Sequence, residues 1–402
     1  MRYTLMNQGH EVLDFEFDSG SGRLEVKRLL EGIAWAPLEL PVDGRDASAA
    51  LDCLLRRRAL DNARDDTPHI LRACGVQSTV ELALRSGGFS LADQYWYRGE
   101  DSPLTWEGSN FFDNEWDRSF GEAVLRRDYD ALADSSMRTP DVTLGGFCRK
   151  AWVQTDRGLR LLKASPTGDD ANIYCEALAS RMLDRLVGAC GHIPYEPASF
   201  GGELYSSCPL SVGRDEELVS GTQLLSKAGV DVGGIDAQAG LSDFESYMST
   251  YLQLLEDQHV AGAQQAMPKL FVMATLALDF DTHPANFGLI RDMRTLKLRE
   301  APLYDHGRAF TFLKDRFDLI RRESIALNLI VGLYFSHLEP TWDYSWYDPH
   351  ALDGFEDDVR ESLSALDSFP EGYAELMADV FVQQRDYVNR VVESSRHARL
   401  NS

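Results

Sequence analysis

DFDTHPANFGLIRDMRTLKLREAPLYDHGRAF, residues 279–310, sets two short polar clusters on either side of what reads as a tight hairpin. Phe287 to Ile290 and Leu296 to Leu303 have the character of two strands, and the polar run Arg291 to Thr295 is the turn between them. Such a hairpin returns Asp305 to the side of Asn286. Asp281 stands five positions before Asn286, so a carboxylate, an amide oxygen and a second carboxylate are expected to converge. Magnesium takes hard oxygen ligands and keeps several waters; Asn286 and Asp305, completed by phosphate oxygens, make a sufficient cage. Any one of these residues alone is more plainly a turn residue that hydrogen-bonds its own backbone.

The Asp-x-x-x-x-Asn spacing is the one in which a protein kinase sets the Asp that orients the attacking hydroxyl and the Asn that holds magnesium. Upstream, Thr143-Leu-Gly145-Gly146-Phe-Cys-Arg-Lys150-Ala-Trp152-Val and Leu159-Arg-Leu-Leu-Lys163 read as strand, turn, strand. Adjacent glycines let backbone amides approach phosphate oxygens, and Lys163 at a strand end can present its ammonium to the same phosphates. Thirteen residues on, Glu176 adjoins the apolar stripe of ANIYCEALASRMLDRLVG, a helix stopped by Gly188. A strand lysine, a helix glutamate, Asp-x-x-x-x-Asn and a metal aspartate thus occur in the order a kinase site needs. On this reading Asp281 orients and deprotonates the acceptor hydroxyl, Lys163 grips ATP, Glu176 positions Lys163, and Asn286 and Asp305 hold Mg2+. His283 either braces the loop or meets a phosphate.

The strings Asp281-Thr-His283-Pro-Ala-Asn286-Phe287 and Ala301-Pro302-Leu303-Tyr304-Asp305 resemble the corresponding segment of the HipA-like serine/threonine protein kinases. Leu91-x-Asp93-Gln94-Tyr95-Trp96, followed by Asn110-Phe111-Phe112, also resembles the segment upstream of the kinase core in a Gram-positive-type branch of that family. The resemblance implies an α+β, two-lobed protein-kinase-like fold with an additional N-terminal α+β subdomain and a mostly helical C-lobe. The expected divisions are 1–127, 128–208 and 209–402. It further implies ATP and Mg2+ as cofactors and a protein serine or threonine hydroxyl as acceptor. Many members are toxins of toxin–antitoxin modules, some inhibited by a small helix-turn-helix partner and some silenced by phosphorylation in the Gly-rich loop. Thr143 is the hydroxyl nearest that loop here, and so the candidate for autophosphorylation. The long aromatic segment 86–121 and the short residue set around Gly145-Gly146 depart from the better-known toxins.

The rest of the chain bounds these expectations. With 402 residues, 44% of them hydrophobic, it holds more than one core and is not disordered. No apolar run approaches the roughly 20 residues that a spanning helix needs, and the N-terminus lacks the pattern of a signal peptide; a cytoplasmic protein without membrane contact is expected. A formal charge of −24 argues against direct nucleic-acid binding, which depends on Lys and Arg neutralising phosphates. The six cysteines show no Cys-x-x-Cys pair and are read as reduced, mostly buried thiols. Arg56 to Arg58 and Arg321-Arg322 read as solvated helix faces, and 128–142 as a linker. Residues 204–210 are expected to carry the hinge where backbone meets adenine; Arg214 to Lys227 and Ser242 to Asp257 read as helices flanking a Gly-rich loop, 228–240. Two rivals stand beside the kinase. Leu276-Ala-Leu-Asp279-Phe-Asp281-Thr282 matches the opening of aspartate-nucleophile phosphohydrolases, in which Asp279 would form an aspartyl-phosphate. A pseudokinase would bind nucleotide without transfer.

Overall fold

The computed structural model describes residues 1–41, 47–165, 168–230, 241–335 and 337–400. Contacts divide the chain into two compact units: Met1–Pro166 with Ala198–Val219 and Ile290–Lys297, and Thr167–Pro197 with Ser220–Leu289 and Leu298–Ser402.

The first unit begins with β1 (Arg2–Asn7), β2 (His10–Asp18), β3 (Arg23–Leu29) and β4 (Tyr95–Gly99), a sheet of order β3-β2-β1-β4. β2 and β3 form a hairpin around Ser19 to Gly22. β1 and β4 are additional strands, paired antiparallel in register Leu5↔Tyr97. Alternation puts Leu5, Leu13, Phe15 and Tyr97 on one face, where α1 (Ala47–Arg57), α2 (Thr67–Ala73) and α3 (Thr79–Ser86) follow in the chain; Leu51, Leu55 and Leu84 of α1 and α3 complete the core. Arg58 just past α1 corrects the expectation of a solvated arginine face. Its guanidinium is buried and donates to both Asp93 carboxylate oxygens at 2.8 Å, to the Tyr97 hydroxyl and to the carbonyls of Gly88 and Tyr95.

The aromatic segment 86–121 is anchored by its rings: Phe89, Trp96, Trp106 and Phe111 share one cluster, with Phe89 stacked on Trp96. Part of it is strand, though, because Tyr95 to Tyr97 pair with β1. After α4 (Trp106–Ser109), α5 (Ser119–Arg126) and α6 (Tyr129–Leu132) come β5 (Lys150–Thr155), β6 (Gly158–Lys163), β7 (Glu196–Phe200) and β8 (Glu203–Pro209), a sheet of order β5-β6-β8-β7. Residues 128–142 are no linker: Leu132 and Val142 are core residues beside Phe120 of α5. Asp141 accepts from the Trp152 amide at 2.8 Å and ties this segment to β5. The expected hinge, 204–210, lies mostly within β8.

In the second unit, α7 (Ala171–Val187), α8 (Gly221–Lys227), α9 (Leu241–Asp257), α10 (Ala263–Ala277), α11 (Phe317–Arg322), α12 (Ser324–Phe335), α13 (Phe355–Ser364) and α14 (Tyr373–Leu400) dominate. α10 is the central one. Met267 to Ala277 are buried apart from Lys269, which pairs with Glu300, and the Tyr373 hydroxyl of α14 donates to the Phe310 carbonyl. A helix apolar all round belongs inside a helical layer.

A third sheet has the order β11-β10-β9, from β9 (Glu216–Ser220), β10 (Gly288–Asp292) and β11 (Leu298–Glu300). Arg214 to Lys227 is therefore strand then helix. Glu-Glu-Leu-Val-Ser alternates in burial, and Ser220 with Gln223 forms a capping box that cannot start the helix before Gly221. The predicted β10–β11 hairpin is present with its turn two residues later, since the Asp292 carboxylate accepts from the amides of Arg294 and Thr295. Most of the Gly-rich loop 228–240 lies outside the described residues. Cys175 and Cys208 are buried, whereas Cys53 and Cys190 are exposed, so the thiols are less buried than composition suggests.

Candidate active site

The loop after α10 is built by short-range hydrogen bonds. Leu278 takes a left-handed backbone and the Asp279 amide closes on the Ala274 carbonyl, so the helix ends where the polar cluster starts. The Asp281 amide donates to Asp279 Oδ1 at 3.1 Å, and the Asn286 amide to the His283 carbonyl at 2.8 Å. Asn286 Nδ2 donates to the Asp281 carbonyl at 2.9 Å. That bond turns Asn286 Oδ1 into the atom left to face a cation, the hard oxygen donor magnesium needs. His283 Nδ1 accepts from the Ala285 amide at 3.1 Å, and burial pushes its pKa below the usual value, which keeps the ring a neutral acceptor. These contacts support the bracing reading of His283.

Helix α8 supports this loop from its N-terminal end. The Gly221 amide donates to the Phe287 carbonyl and the Thr222 amide to the Pro284 carbonyl, at 2.8 and 3.0 Å. A side chain at Gly221 has no room, because a Cβ there would sit 2.6 Å from the Phe287 ring and 2.9 Å from the Pro284 carbonyl.

The hairpin brings the second cluster back as its spacing predicts. The Tyr304 hydroxyl donates to the Ala285 carbonyl at 3.0 Å, and His306 Nδ1 lies 3.3 Å from Asp279 Oδ2. Both neighbours of Asp305 are thus fastened to the Asp281–Asn286 loop. Asp305 itself has φ +63°, and its amide donates to the Tyr195 hydroxyl at 3.3 Å. Tyr195 in turn donates its amide to Ser180 of α7.

Glu176 lies on α7 with 1% exposure and is therefore no solvated helix acid. It belongs to the second unit with Asp281, His283, Asn286 and Asp305. Lys163, Gly145, Gly146 and Thr143 belong to the first. Lys163 is half-buried at the end of β6, opposite Lys150 of β5 and Ser206 of β8. Gly145 packs against the α1 end, where a Cβ would meet the Arg57 carbonyl at 2.5 Å, and Gly146 has φ +87°. The Thr143 hydroxyl is buried and donates to the Pro140 carbonyl at 2.8 Å.

Among the described residues no three His, Cys, Asp or Glu side chains form a group that could hold a metal unaided. A carboxylate plus an amide oxygen, completed by phosphates, is the arrangement the donors here fit. The phosphohydrolase reading is not favoured: Asp279 follows a helix instead of a strand, is 1% exposed, and engages both carboxylate oxygens. Sequence reasoning assigned no structural work to Asp279 or His306. The only available signal was their proximity to the two motifs.

No protein-family model matches this chain, and no curated protein matches it. Solved structures do. HipA of Shewanella oneidensis MR-1, determined as a toxin–antitoxin system with HipB and operator DNA, is similar over 98% of this chain and 99% of its own, at 12% identity and a TM-score of 0.53. The proinflammatory kinase CtkA of Helicobacter pylori is similar over 61% of this chain and 94% of its own, at 17% identity and a TM-score of 0.43.

Proposed function

The chain has an α+β, HipA-like kinase fold, and from it we propose an ATP-dependent protein kinase that transfers the γ-phosphoryl group to a serine or threonine hydroxyl. One observation supports this most: the loop carrying Asp281 and Asn286 is fastened to both residues flanking Asp305. Asp281 accepts the proton of the acceptor hydroxyl and orients its oxygen in line with the phosphorus. Asn286 Oδ1 and the Asp305 carboxylate would hold Mg2+, which would supply neutralisation of charge on the phosphates. Lys163 is assigned to the phosphates. The loop at Gly145 and Gly146 is assigned to the same phosphates, although the Gly145 amide already donates to the Thr143 carbonyl at 3.1 Å, and His283 keeps the Asp281–Asn286 loop in shape.

The partner reading follows the HipA likeness: a small helix-turn-helix antitoxin binds the kinase, and any contact with DNA runs through that partner, because a net charge of −24 repels a phosphate backbone. Autophosphorylation at Thr143 requires the segment 139–143 to open first, given its buried hydroxyl. Among the described residues no helix is long and apolar enough to cross a membrane.

Incubation with labelled ATP and magnesium tests the reading. Wild type transfers label to itself or to a protein acceptor, and Asp281→Ala loses transfer by at least about a thousandfold, typical when a group made only for the transition state is removed. Nucleotide binding without transfer in wild type would establish a pseudokinase instead.

A further inference from the structure

Asp279 and His306 have no part in the kinase roles above, yet they sit at the junction of the two motifs. Asp279 places one oxygen on the Asp281 amide and the other on His306 Nδ1, with both side chains at most 5% exposed. A buried carboxylate spends its desolvation cost only where donors repay it. Here one donor is the backbone of the residue read as the base, and the other is the side chain next to the metal aspartate. Asp305 meanwhile holds a left-handed backbone, a strained state for a non-glycine residue that persists where its surroundings over-determine it. Those surroundings are identifiable: Tyr195 on the Asp305 amide, Tyr304 on the Ala285 carbonyl, and His306 on Asp279.

We infer that Asp279 and His306 form a positioning pair, in which a buried carboxylate–imidazole contact holds the Asp305 carboxylate in place against the Asp281–Asn286 loop. The pair sets metal–nucleotide affinity without touching either. Beyond that contact with Asp279, His306 Nε2 has no hydrogen-bond partner among the described residues. A ring with a single tether is held by shape and by that one bond, so loss of the N–H releases it. The inference rests on the kinase reading for its consequence but not for its geometry.

The experiment compares full-length wild type, His306→Phe, which keeps a ring and loses the N–H, and His306→Asn, which restores an N–H donor near the Nδ1 position. Two readouts are used: Mn2+·ATP binding by calorimetry, and amide hydrogen exchange of the ligand-free protein over 279–286 and 303–307. His306→Phe is expected to weaken Mn2+·ATP by about 10–100-fold, the usual cost of removing a group that orients a metal ligand, and to raise exchange in both segments; His306→Asn recovers most of each. If Phe and Asn behave alike in both readouts, or Phe matches wild type, the pair does not position. Should His306→Phe fail to fold, Asp279→Asn, which retains an oxygen for the Asp281 amide, takes its place with raised exchange confined to 303–307. Protection that depends on His306 in a wild type that binds no Mn2+·ATP would refute the nucleotide role and the kinase reading, and leave the geometric pairing standing.

Discussion

Asp141 shows how much a single buried acid contributes. Its carboxylate accepts from Thr139 Oγ1 at 2.5 Å and from the Trp152 amide, and Gly121 of α5 packs against it so closely that a Cβ there would lie 2.6 Å from Oδ2. Burial nevertheless outweighs those bonds and raises its pKa from 3.8 to about 6. A folded-state pKa above the unfolded one means the native state holds the proton more tightly. The associated stability is fully present below about pH 4 and is lost as pH rises through about 6, on the order of 3 kcal/mol at 1.36 kcal/mol per unit. Denaturant midpoints of wild type are expected to fall across that window; Asp141→Asn should flatten the fall. A midpoint that falls equally in both proteins would contradict this. Gly221→Ala belongs to the same scale. With the Phe287 ring and Pro284 carbonyl in the way, overpacking should cost about 1–3 kcal/mol and lower phosphotransfer, since the loop must shift; unchanged urea unfolding would count against it.

At the scale of elements, β10 carries Arg291 into the first unit, where its guanidinium donates to Glu217 of β9 at 3.2 Å and to the carbonyls of Ala34 and Ala36. Both side chains are at most 6% exposed. Burial raises the Glu217 pKa to about 7, with Arg291 opposing that rise. Arg291→Met strands a buried carboxylate and should destabilise the protein by about 3–5 kcal/mol, most of it recovered in Arg291→Met/Glu217→Leu. Additive losses in the double variant would dispose of the pairing. This element also marks where sequence reading stops. The Asp281–Asn286 spacing, the Glu176 helix and the β10–β11 hairpin are local, and each is set by residues within about thirty positions, so their patterns were readable. Arg291 read as a turn residue and Arg58 as a surface cation because their partners lie far off in the chain: Glu217 and Asp93 are 74 and 35 positions away. The same holds for β9 and β4, short strands whose identity comes from the strand they join and not from their own propensity.

For the molecule as a whole, a charge of −24 on 402 residues stores self-repulsion that salt screens. Thermal midpoints should rise between low ionic strength and about 0.15 M, where the screening length is about 8 Å; a falling midpoint would show that attractive pairs dominate. Mg2+·ATP at a hundredfold its dissociation constant should add about 2.7 kcal/mol of stability to wild type, and less to Lys163→Ala. The first unit takes residues 1–166, then 198–219, and lastly 290–297. A ribosome therefore finishes most of that body long before it supplies the arginine that neutralises Glu217. For the 74 residues of synthesis between Glu217 and Arg291 the emerging polypeptide keeps an unfinished acidic seam, and any nascent product cut short before position 291 is left with it permanently.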